Sequence, residues 1–226
     1  MGEEGLIRRE FAAGERASGS PLVQAGQTEH GPNWPASRLP ASLMVDLRTD
    51  HAGESGAVMI YRGILAVTRD PKLRAFASDH LATESRHLAC IEDIVPTRWR
   101  SVLLPVWRLA GWLTGALPAL AGARAVYATI QAVETFVDRH YASQIEWIDY
   151  GLQSRPSGGS SPLYPPEVRD ALASVRERLE ACRLDEVSHR DDAAGRWSGK
   201  AGALLGAWLF CVSAGSEAAV RICRKL

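Results

Sequence analysis

Acidic and imidazole side chains occupy apolar positions of helical patterns in this 226-residue chain. An apolar stripe between residues 168 and 193 advances in steps of four and three and contains Glu186 and His189 as Glu-x-x-His. A second stripe, between residues 73 and 91, contains Glu84 and His87 at the same spacing. Residues three apart lie about 5–6 Å from each other at Cβ on one helical face. Each pair can therefore offer an oxygen and a nitrogen to one metal ion.

Two further stripes contain one glutamate each, Glu54 between residues 43 and 65 and Glu134 between residues 126 and 148. A buried carboxylate is costly unless it is paired or bound to metal, so four of them on core faces require a cation. One glutamate from each of two helices, with Glu-x-x-His from each of two others, is the ligand set of ferritin-like di-iron bundles. Oxygen and nitrogen ligands suit Fe or Mn. We predict that six residues bind two Fe ions: Glu54, Glu84, His87, Glu134, Glu186 and His189.

The bulk composition argues against a nucleic-acid partner. Basic and acidic residues balance at 26 each, and no basic run with interleaved aromatic residues occurs. The four cysteines lack Cys-x-x-Cys spacing, which indicates small buried side chains in a reducing compartment. The charged N-terminus lacks the apolar segment of a signal peptide.

Six helices and no strands are predicted, which places the chain in the all-α class. Residues 1–39, rich in Gly, Pro and Ser, are predicted to be a disordered tail, and residues 40–226 a single domain with a flexible loop at 151–166. The expected fold is a ferritin-like four-helix di-iron bundle with two additional apolar helices. The predicted helices span about 41–69, 71–94, 101–123, 122–150, 167–193 and 199–223.

The two additional helices are the most apolar segments of the chain. Residues 101–123 are long enough to span a bilayer, but two prolines and Arg108 interrupt them, and Trp107 and Trp112 lie inside them. Aromatic and arginine side chains fit a helix at the membrane interface better than a spanning one. A plain core helix is the alternative for this segment, and residues 199–223 could likewise lie on a membrane or cover the bundle.

Four sequence segments resemble the demethoxyubiquinone hydroxylase family of ubiquinone biosynthesis. They are DHAGE at Asp50–Glu54 with the nearby GAVMIYRG, the apolar LLPVWRLAGWLTGALPAL, AVETFVDRHYASQ at Ala132–Gln144, and DEVSHRDDA beginning at Asp185. The resemblance covers about residues 42–224. It implies a di-iron monooxygenase that hydroxylates the ring of a polyprenylated demethoxyubiquinone with O2 and electrons from NADH. It also implies peripheral, monotopic association with the cytoplasmic side of the membrane and a lipid-binding accessory protein. Whether the chain forms a homo-oligomer is left open.

Other residues near the predicted ligands are candidates for supporting roles. Asp185 is expected to accept the second N–H of His87, with a solvated acid as the alternative. His80 shares the face of Glu84 and could hydrogen-bond a ligand or bind metal itself. The remaining candidates for support are Tyr141, His140, Tyr61 and His51, with plain core packing as the alternative for the two tyrosines. Trp107 and Trp112 are candidates for the membrane interface or the substrate approach, with core packing as the alternative.

Two other functions are compatible with the pattern. A rubrerythrin- or ferritin-type ferroxidase or peroxidase shares the ligand set, although it does not share the apolar third and sixth helices. A non-catalytic quinone or lipid carrier would keep the bundle as a scaffold, although such a protein need not retain all six ligands.

Overall fold

The computed structural model describes residues 38–154 and 162–226, and every regular element in these ranges is helical. The predicted all-α fold is confirmed. The six α-helices are α1 (Ala41–Val67), α2 (Pro71–Ile94), α3 (Leu104–Ala121), α4 (Ala123–Gln153), α5 (Pro166–Gly195) and α6 (Ala203–Cys223), with a 3₁₀ turn at Thr97–Trp99.

The structure changes the predicted bounds of the two irregular segments. Leu39, placed in the tail, is buried in the core, while residues 1–37 of that segment lie outside the described residues. The predicted loop at 151–166 begins inside α4, because the helix continues through Gln153 and Gly151 is buried against the Tyr164 ring. Residues 155–161 of this loop are also outside the described residues.

The corner between α1 and α2 follows the predicted Asp-Pro signal. The Asp70 carboxylate accepts a hydrogen bond from the backbone N–H of Lys72, 2.9 Å away, and Pro71 occupies the first helical position. The tight corner turns the chain back, so that α1 and α2 pack against each other as neighbours.

The core of the bundle formed by α1, α2, α4 and α5 has two apolar clusters. Along each helix, the predicted ligands lie between the two clusters. Fully burying one large apolar side chain contributes about 1.5–3 kcal/mol, and each cluster contains several. One cluster includes Leu43, Leu47, Ile91, Ile148, Leu172 and Leu179. The other includes Ile60, Ile64, Leu73, Phe76, Val126 and Ile130.

Glycines allow α3 to lie directly on the backbone of α1. A Cβ at Gly115 would lie 1.9 Å from the carbonyl oxygen of Ile60, and one at Gly111 would lie 2.3 Å from that of Gly56. The outward face of α3 is apolar and exposed, with side chains that include Val106, Leu109, Leu113, Leu117 and Leu120. This helix therefore covers α1 on one side and presents an apolar surface on the other.

Helix α6 begins four residues later than predicted and is mostly exposed. The Trp208 indole N–H donates to Thr129 Oγ1 of α4 at 2.9 Å, and Arg224 pairs with Asp46 of α1 at 2.8 Å. Leu204 and Phe210 are among its exposed apolar side chains. Within the described ranges, α6 is the helix whose length and composition would suffice to cross a membrane.

Candidate metal centre

The structure brings together all six predicted ligands in the middle of the bundle. All are buried, with exposures between 0% and 7%. Their ligand atoms form two overlapping groups, each with three carboxylates and one imidazole and with all atoms within 4.8 Å of one another. Glu84 and Glu186 belong to both groups. The two groups are Glu54, Glu84, His87 and Glu186, and Glu84, Glu134, Glu186 and His189.

Each imidazole directs Nδ1 toward the shared carboxylates. His87 Nδ1 lies 2.9 Å from Glu186 Oε1 and 3.6 Å from Glu84 Oε2. His189 Nδ1 lies 3.0 Å from Glu84 Oε1 and 3.5 Å from Glu186 Oε2. The two imidazoles thus approach the shared carboxylates in a similar way, as expected of two adjacent ion positions.

Buried polar atoms without hydrogen bonds show that these residues fit a metal. Among the described residues, no hydrogen-bond partner of suitable geometry exists for Glu54 Oε2, both Glu84 oxygens, His87 Nδ1, Glu186 Oε2 or His189 Nδ1. Unpaired buried polar atoms are costly and uncommon in native proteins. Two divalent ions would satisfy these atoms and balance the four carboxylates in charge.

The electrostatics of the centre lead to the same conclusion. Burial, and then the charges of neighbouring carboxylates, raise the pKa of Glu134 well above its ordinary value, and burial likewise raises the pKa of Glu54. Burial alone would lower the pKa of His189, but Glu186 and Glu84 raise it to about 9. Without a cation the centre holds protons to offset its negative charge, and a bound metal would displace them.

Two tyrosines contact the glutamates that belong to only one group each. The Tyr61 hydroxyl donates to Glu134 Oε1 at 3.0 Å, and the Tyr141 hydroxyl donates to Glu54 Oε1. Both predicted support positions are therefore in direct contact with predicted ligands. Each tyrosine bridges α1 and α4 across the bundle.

The outer sides of the two imidazoles differ. His87 Nε2 lies 3.2 Å from Asp185 Oδ2, which is the contact expected from the sequence. His189 instead stacks on the His80 ring, with centroids 4.1 Å apart. His80 belongs to neither ligand group, and its Nε2 lies 3.1 Å from Asp192 Oδ2.

The structure places His51 away from the six ligands. Its Nε2 lies 3.3 Å from Glu92 Oε1, which also accepts a hydrogen bond from Arg100 Nη1 at 2.9 Å. This contact joins α1 to the end of α2, so the ring serves the helix packing there.

A cavity of about 390 Å³ reaches the metal-centre residues Glu54, Glu134 and Glu186. It lies between α1 and α4 and is bounded by α3 and α6. Trp107 lines it and donates its indole N–H to Ser101 Oγ at 3.1 Å. Trp112 is not among the lining residues, and its carbonyl contacts Gly63 instead. Other lining residues are Ala57, Ile60, Gly111, Val133, Val137, Trp208 and Val212.

Sequence reasoning did not assign roles to three acids that the structure places near predicted site residues. Asp50 and His140 both line the cavity, and their side chains are 3.1 Å apart. Asp192 contacts His80, and Glu92 contacts His51. Asp50 could have been found, because it occupies an apolar stripe position one turn before Glu54. Asp192 and Glu92 are outside the stripes, so no sequence signal marks them.

Comparisons with known proteins agree with this geometry. The family described as Ubiquinone biosynthesis protein COQ7 matches residues 42–223. A Rhodospirillum rubrum protein named 3-demethoxyubiquinol 3-hydroxylase is 32% identical over 174 residues, covering 75% of this chain and 73% of the relative. A protein of the same name from Paracidovorax citrulli is 30% identical, and the match covers 84% of this chain and 82% of that protein.

A Dictyostelium discoideum relative, named NADPH-dependent 3-demethoxyubiquinone 3-hydroxylase, mitochondrial, is 36% identical over 146 residues. The match covers 63% of this chain and 59% of that protein. These matches confirm the family predicted from the sequence motifs. The chain belongs to the family of Ubiquinone biosynthesis protein COQ7.

Proposed function

We propose that this chain is an O2-dependent hydroxylase of the ring of a polyprenylated demethoxyubiquinol in ubiquinone biosynthesis. Two iron ions held by the six clustered residues would supply the oxygen-activating chemistry. Electrons would come from a reduced nicotinamide, NADH or NADPH. The family and the names of the relatives support the reaction, and the buried carboxylate and imidazole cluster supports the metal.

The observation that carries this proposal is the cavity that joins an apolar entrance to the carboxylate cluster. Small side chains such as Gly53 and Ala57 leave room beside Glu54 for a flat ring. Trp107, Val133 and Val212 keep the space apolar, which excludes water from the reacting ring. The chain's own task would be to position the ring and keep the site dry.

Peripheral attachment to the cytoplasmic side of a membrane is the second part of the proposal. The exposed apolar faces of α3 and α6 border the same cavity, and together they would let an isoprenoid substrate enter from the bilayer. Such a surface would also suit a lipid-binding accessory protein or a second copy of the chain.

The central experiment measures iron and product together. Iron-reconstituted protein in detergent is analysed for metal and then incubated with demethoxyubiquinone, O2 and either NADH or NADPH. We expect about two irons per chain and a quinone product heavier by one oxygen. Failure to bind iron after reconstitution would overturn the proposed metal centre. Iron oxidation with no oxygen insertion would favour a ferroxidase, and metal-independent quinone binding would favour a carrier.

A liposome flotation assay tests the membrane part. Leu109→Glu and Leu113→Glu add charge to the outer face of α3, where both side chains are exposed. We expect the double variant to lose flotation. Leu184→Glu changes an exposed leucine of α5, away from this face, and is the matched control. Equal flotation of both variants would refute the assignment of this surface.

A further inference from the structure

Helices α2 and α5 face each other through a regular series of side-chain contacts. Within the metal centre, His189 Nδ1 lies 3.0 Å from Glu84 Oε1, and His87 Nδ1 lies 2.9 Å from Glu186 Oε1. Between these two contacts, α2 advances by three residues while α5 goes back by three, so the helices are antiparallel. Residues three or four apart share a helical face, and further contacts therefore follow at the same interval.

The next position of this series is occupied by two cysteines. Cys90 follows His87 by three residues, and Cys182 precedes Glu186 by four. The Cys182 thiol donates a hydrogen bond to the Cys90 sulfur across the two helices. Cys182 is fully buried, whereas Cys90 is half-buried. The two thiols therefore form a facing pair, one helical turn from a predicted metal ligand on each helix.

An arginine flanks the pair on the side away from the metal centre. Arg178, one turn before Cys182, donates a hydrogen bond to the Cys90 sulfur and lies 3.9 Å from Asp93 of α2. The hydrogen bond from Cys182 and the charge of Arg178 lower the pKa of the Cys90 thiol to about 7, although burial opposes them. The pKa of the Cys182 thiol is raised by its hydrogen bond to Cys90 and by burial. Cys90 is thus the nucleophile of the pair.

We propose that Cys90 and Cys182 are a peroxide-reactive dithiol whose oxidation to a disulfide weakens metal binding in the centre. The Cys90 sulfur attacks one oxygen of hydrogen peroxide, the O–O bond breaks, and a sulfenic acid and one water are formed. The Cys182 sulfur then attacks the sulfenic sulfur, the S–S bond forms, and a second water leaves. Two thiols and one peroxide thus give one disulfide and two waters, as two electrons pass from sulfur to oxygen.

The place of the dithiol beside the metal centre suits peroxide as its oxidant. Two-electron reduction of O2 that is not coupled to ring hydroxylation yields hydrogen peroxide. This source of peroxide rests on the proposed function, whereas the dithiol itself rests on the contacts between α2 and α5. Peroxide released in the bundle would meet Cys90 one helical turn, about 5.4 Å, along α2 from the ligand His87. A dithiol in this place would report on a centre that reduces O2 without substrate.

A disulfide at this position would change the spacing of the two ligand helices. The sulfurs of a disulfide are about 2.05 Å apart, which is closer than two hydrogen-bonded thiols, so the bond would draw α2 and α5 together. Metal–ligand distances tolerate changes of only about 0.2 Å. His87 and Glu186 lie one turn from the bond and belong to the same ligand group, so this group should lose affinity first.

Mass spectrometry of the full chain tests the formation of the disulfide. The protein is loaded with Zn(II), which has no redox chemistry, and is treated with hydrogen peroxide until catalase removes the excess. We expect a peptide pair joined through Cys90 and Cys182 that separates on reduction. Cys182→Ser should stop at the sulfenic acid of Cys90, which dimedone traps. Cys211→Ser changes the exposed cysteine of α6, is the matched control, and should form the same disulfide as wild type.

Competition with a zinc chelator measures the effect on the centre. Oxidised wild type should bind zinc about tenfold more weakly at one position, and reduction should restore the affinity. Cys182→Ser should keep its zinc affinity through the same peroxide treatment.

Absence of the Cys90–Cys182 peptide pair would overturn the proposal, as would unchanged zinc affinity in the oxidised chain. Reduced, iron-loaded wild type is assayed in parallel for oxygen insertion into the quinone ring. Oxygen insertion without a disulfide removes this inference and leaves the proposed function intact. A disulfide that weakens zinc binding in a chain without oxygen insertion supports the dithiol and removes the proposed function alone.

Discussion

The two halves of the bundle place the same side chains around the centre. In α1 and α2, Glu54 is followed seven residues later by Tyr61, and the next helix contains a Glu-x-x-His pair. In α4 and α5, Glu134 is followed seven residues later by Tyr141, again before a helix with Glu-x-x-His. Each tyrosine donates to the glutamate of the opposite half. Equivalent ligand sets for two adjacent cations, as proposed above, would account for this likeness.

One helical turn away from the ligands, the halves diverge. His80 precedes Glu84 by four residues and contacts Asp192, whereas Cys182 precedes Glu186 by four residues and interacts with Cys90. Asp185 contacts His87, but the corresponding position before Glu84 is Thr83. The ligand sets are therefore alike, while their supports differ. We infer that the two metal positions bind with different strengths.

Removing a shared carboxylate should have the largest effect. Glu186 belongs to both ligand groups, so Glu186→Ala should abolish binding at both positions and reduce hydroxylation below detection. Metal analysis of reconstituted protein and product mass spectrometry measure the two effects. Glu177→Ala, an exposed change on the same helix, is the control and should retain two metals. Full activity in an iron-poor Glu186→Ala protein would refute the metal mechanism.

Removing a glutamate that belongs to one group should have a smaller effect. Glu54→Ala and Glu134→Ala each affect one group and should each leave about one tightly bound metal per chain, because the other group keeps its three carboxylates and imidazole. Competition with a chelator then measures the metal affinity of the remaining position in each variant. Equal affinities in the two variants would show that the differing supports have no influence.

Proton competition should make metal affinity depend on pH in both halves. The pKa of His189 is about 9, so this imidazole is protonated at neutral pH and must lose its proton to bind metal. Affinity at this position should rise about tenfold per pH unit below pH 9 and level off above it. Calorimetry of Mn(II) binding in buffers of different protonation enthalpy measures the released protons. A flat profile between pH 6 and pH 8 would contradict the assigned protonation.

The sequence predicted the ligand cluster because each ligand lies in phase with an apolar stripe. In α5, the stripe residues from Leu172 to Ala193 are all buried, including Glu186 and His189. In α1, the stripe residues from Leu43 to Tyr61 are buried as well, but so are residues outside the stripe such as Met44 and Ile60, and the helix ends at Val67 rather than at residue 69. Periodicity along one helix is a local property, so one sequence is sufficient to read it.

Contacts between helices could not be predicted in the same way. His51 shares a helix with Glu54, but its ring contacts Glu92 because α2 ends beside it. The close packing of α3 depends on which backbone atoms face Gly111 and Gly115, and this follows from the helix crossing rather than from the local sequence. Asp185 is the exception, since the chemistry of metal-binding imidazoles predicts an acid beside His87.

The support of His87 by Asp185 gives a more selective test of the difference between the halves. Asp185→Asn keeps the shape of the side chain but weakens the acceptor at 3.2 Å from Nε2. Metal affinity at the Glu54 and His87 position should fall about tenfold, whereas the His189 position should change little. Glu54→Ala and Glu134→Ala backgrounds isolate each position for the measurement. An equal loss at both positions would mean that Asp185 acts on the whole centre.

The two tyrosines should give the smallest effects and the closest comparison. Tyr141→Phe and Tyr61→Phe each remove one hydrogen bond to a glutamate. A single such bond contributes about 0.5–1.5 kcal/mol, so each change should weaken metal binding by roughly two- to twelvefold. Tyr61 also lies 3.2 Å from His80 Nδ1, a contact that Tyr141 lacks because Cys182 occupies the corresponding position. The effect of Tyr61→Phe should therefore shrink in a His80→Ala background, while that of Tyr141→Phe should not. If both tyrosine variants lose the same metal affinity, and if these losses simply add to that of His80→Ala, both tyrosines serve only packing. The difference between the halves would then depend on Asp185 alone.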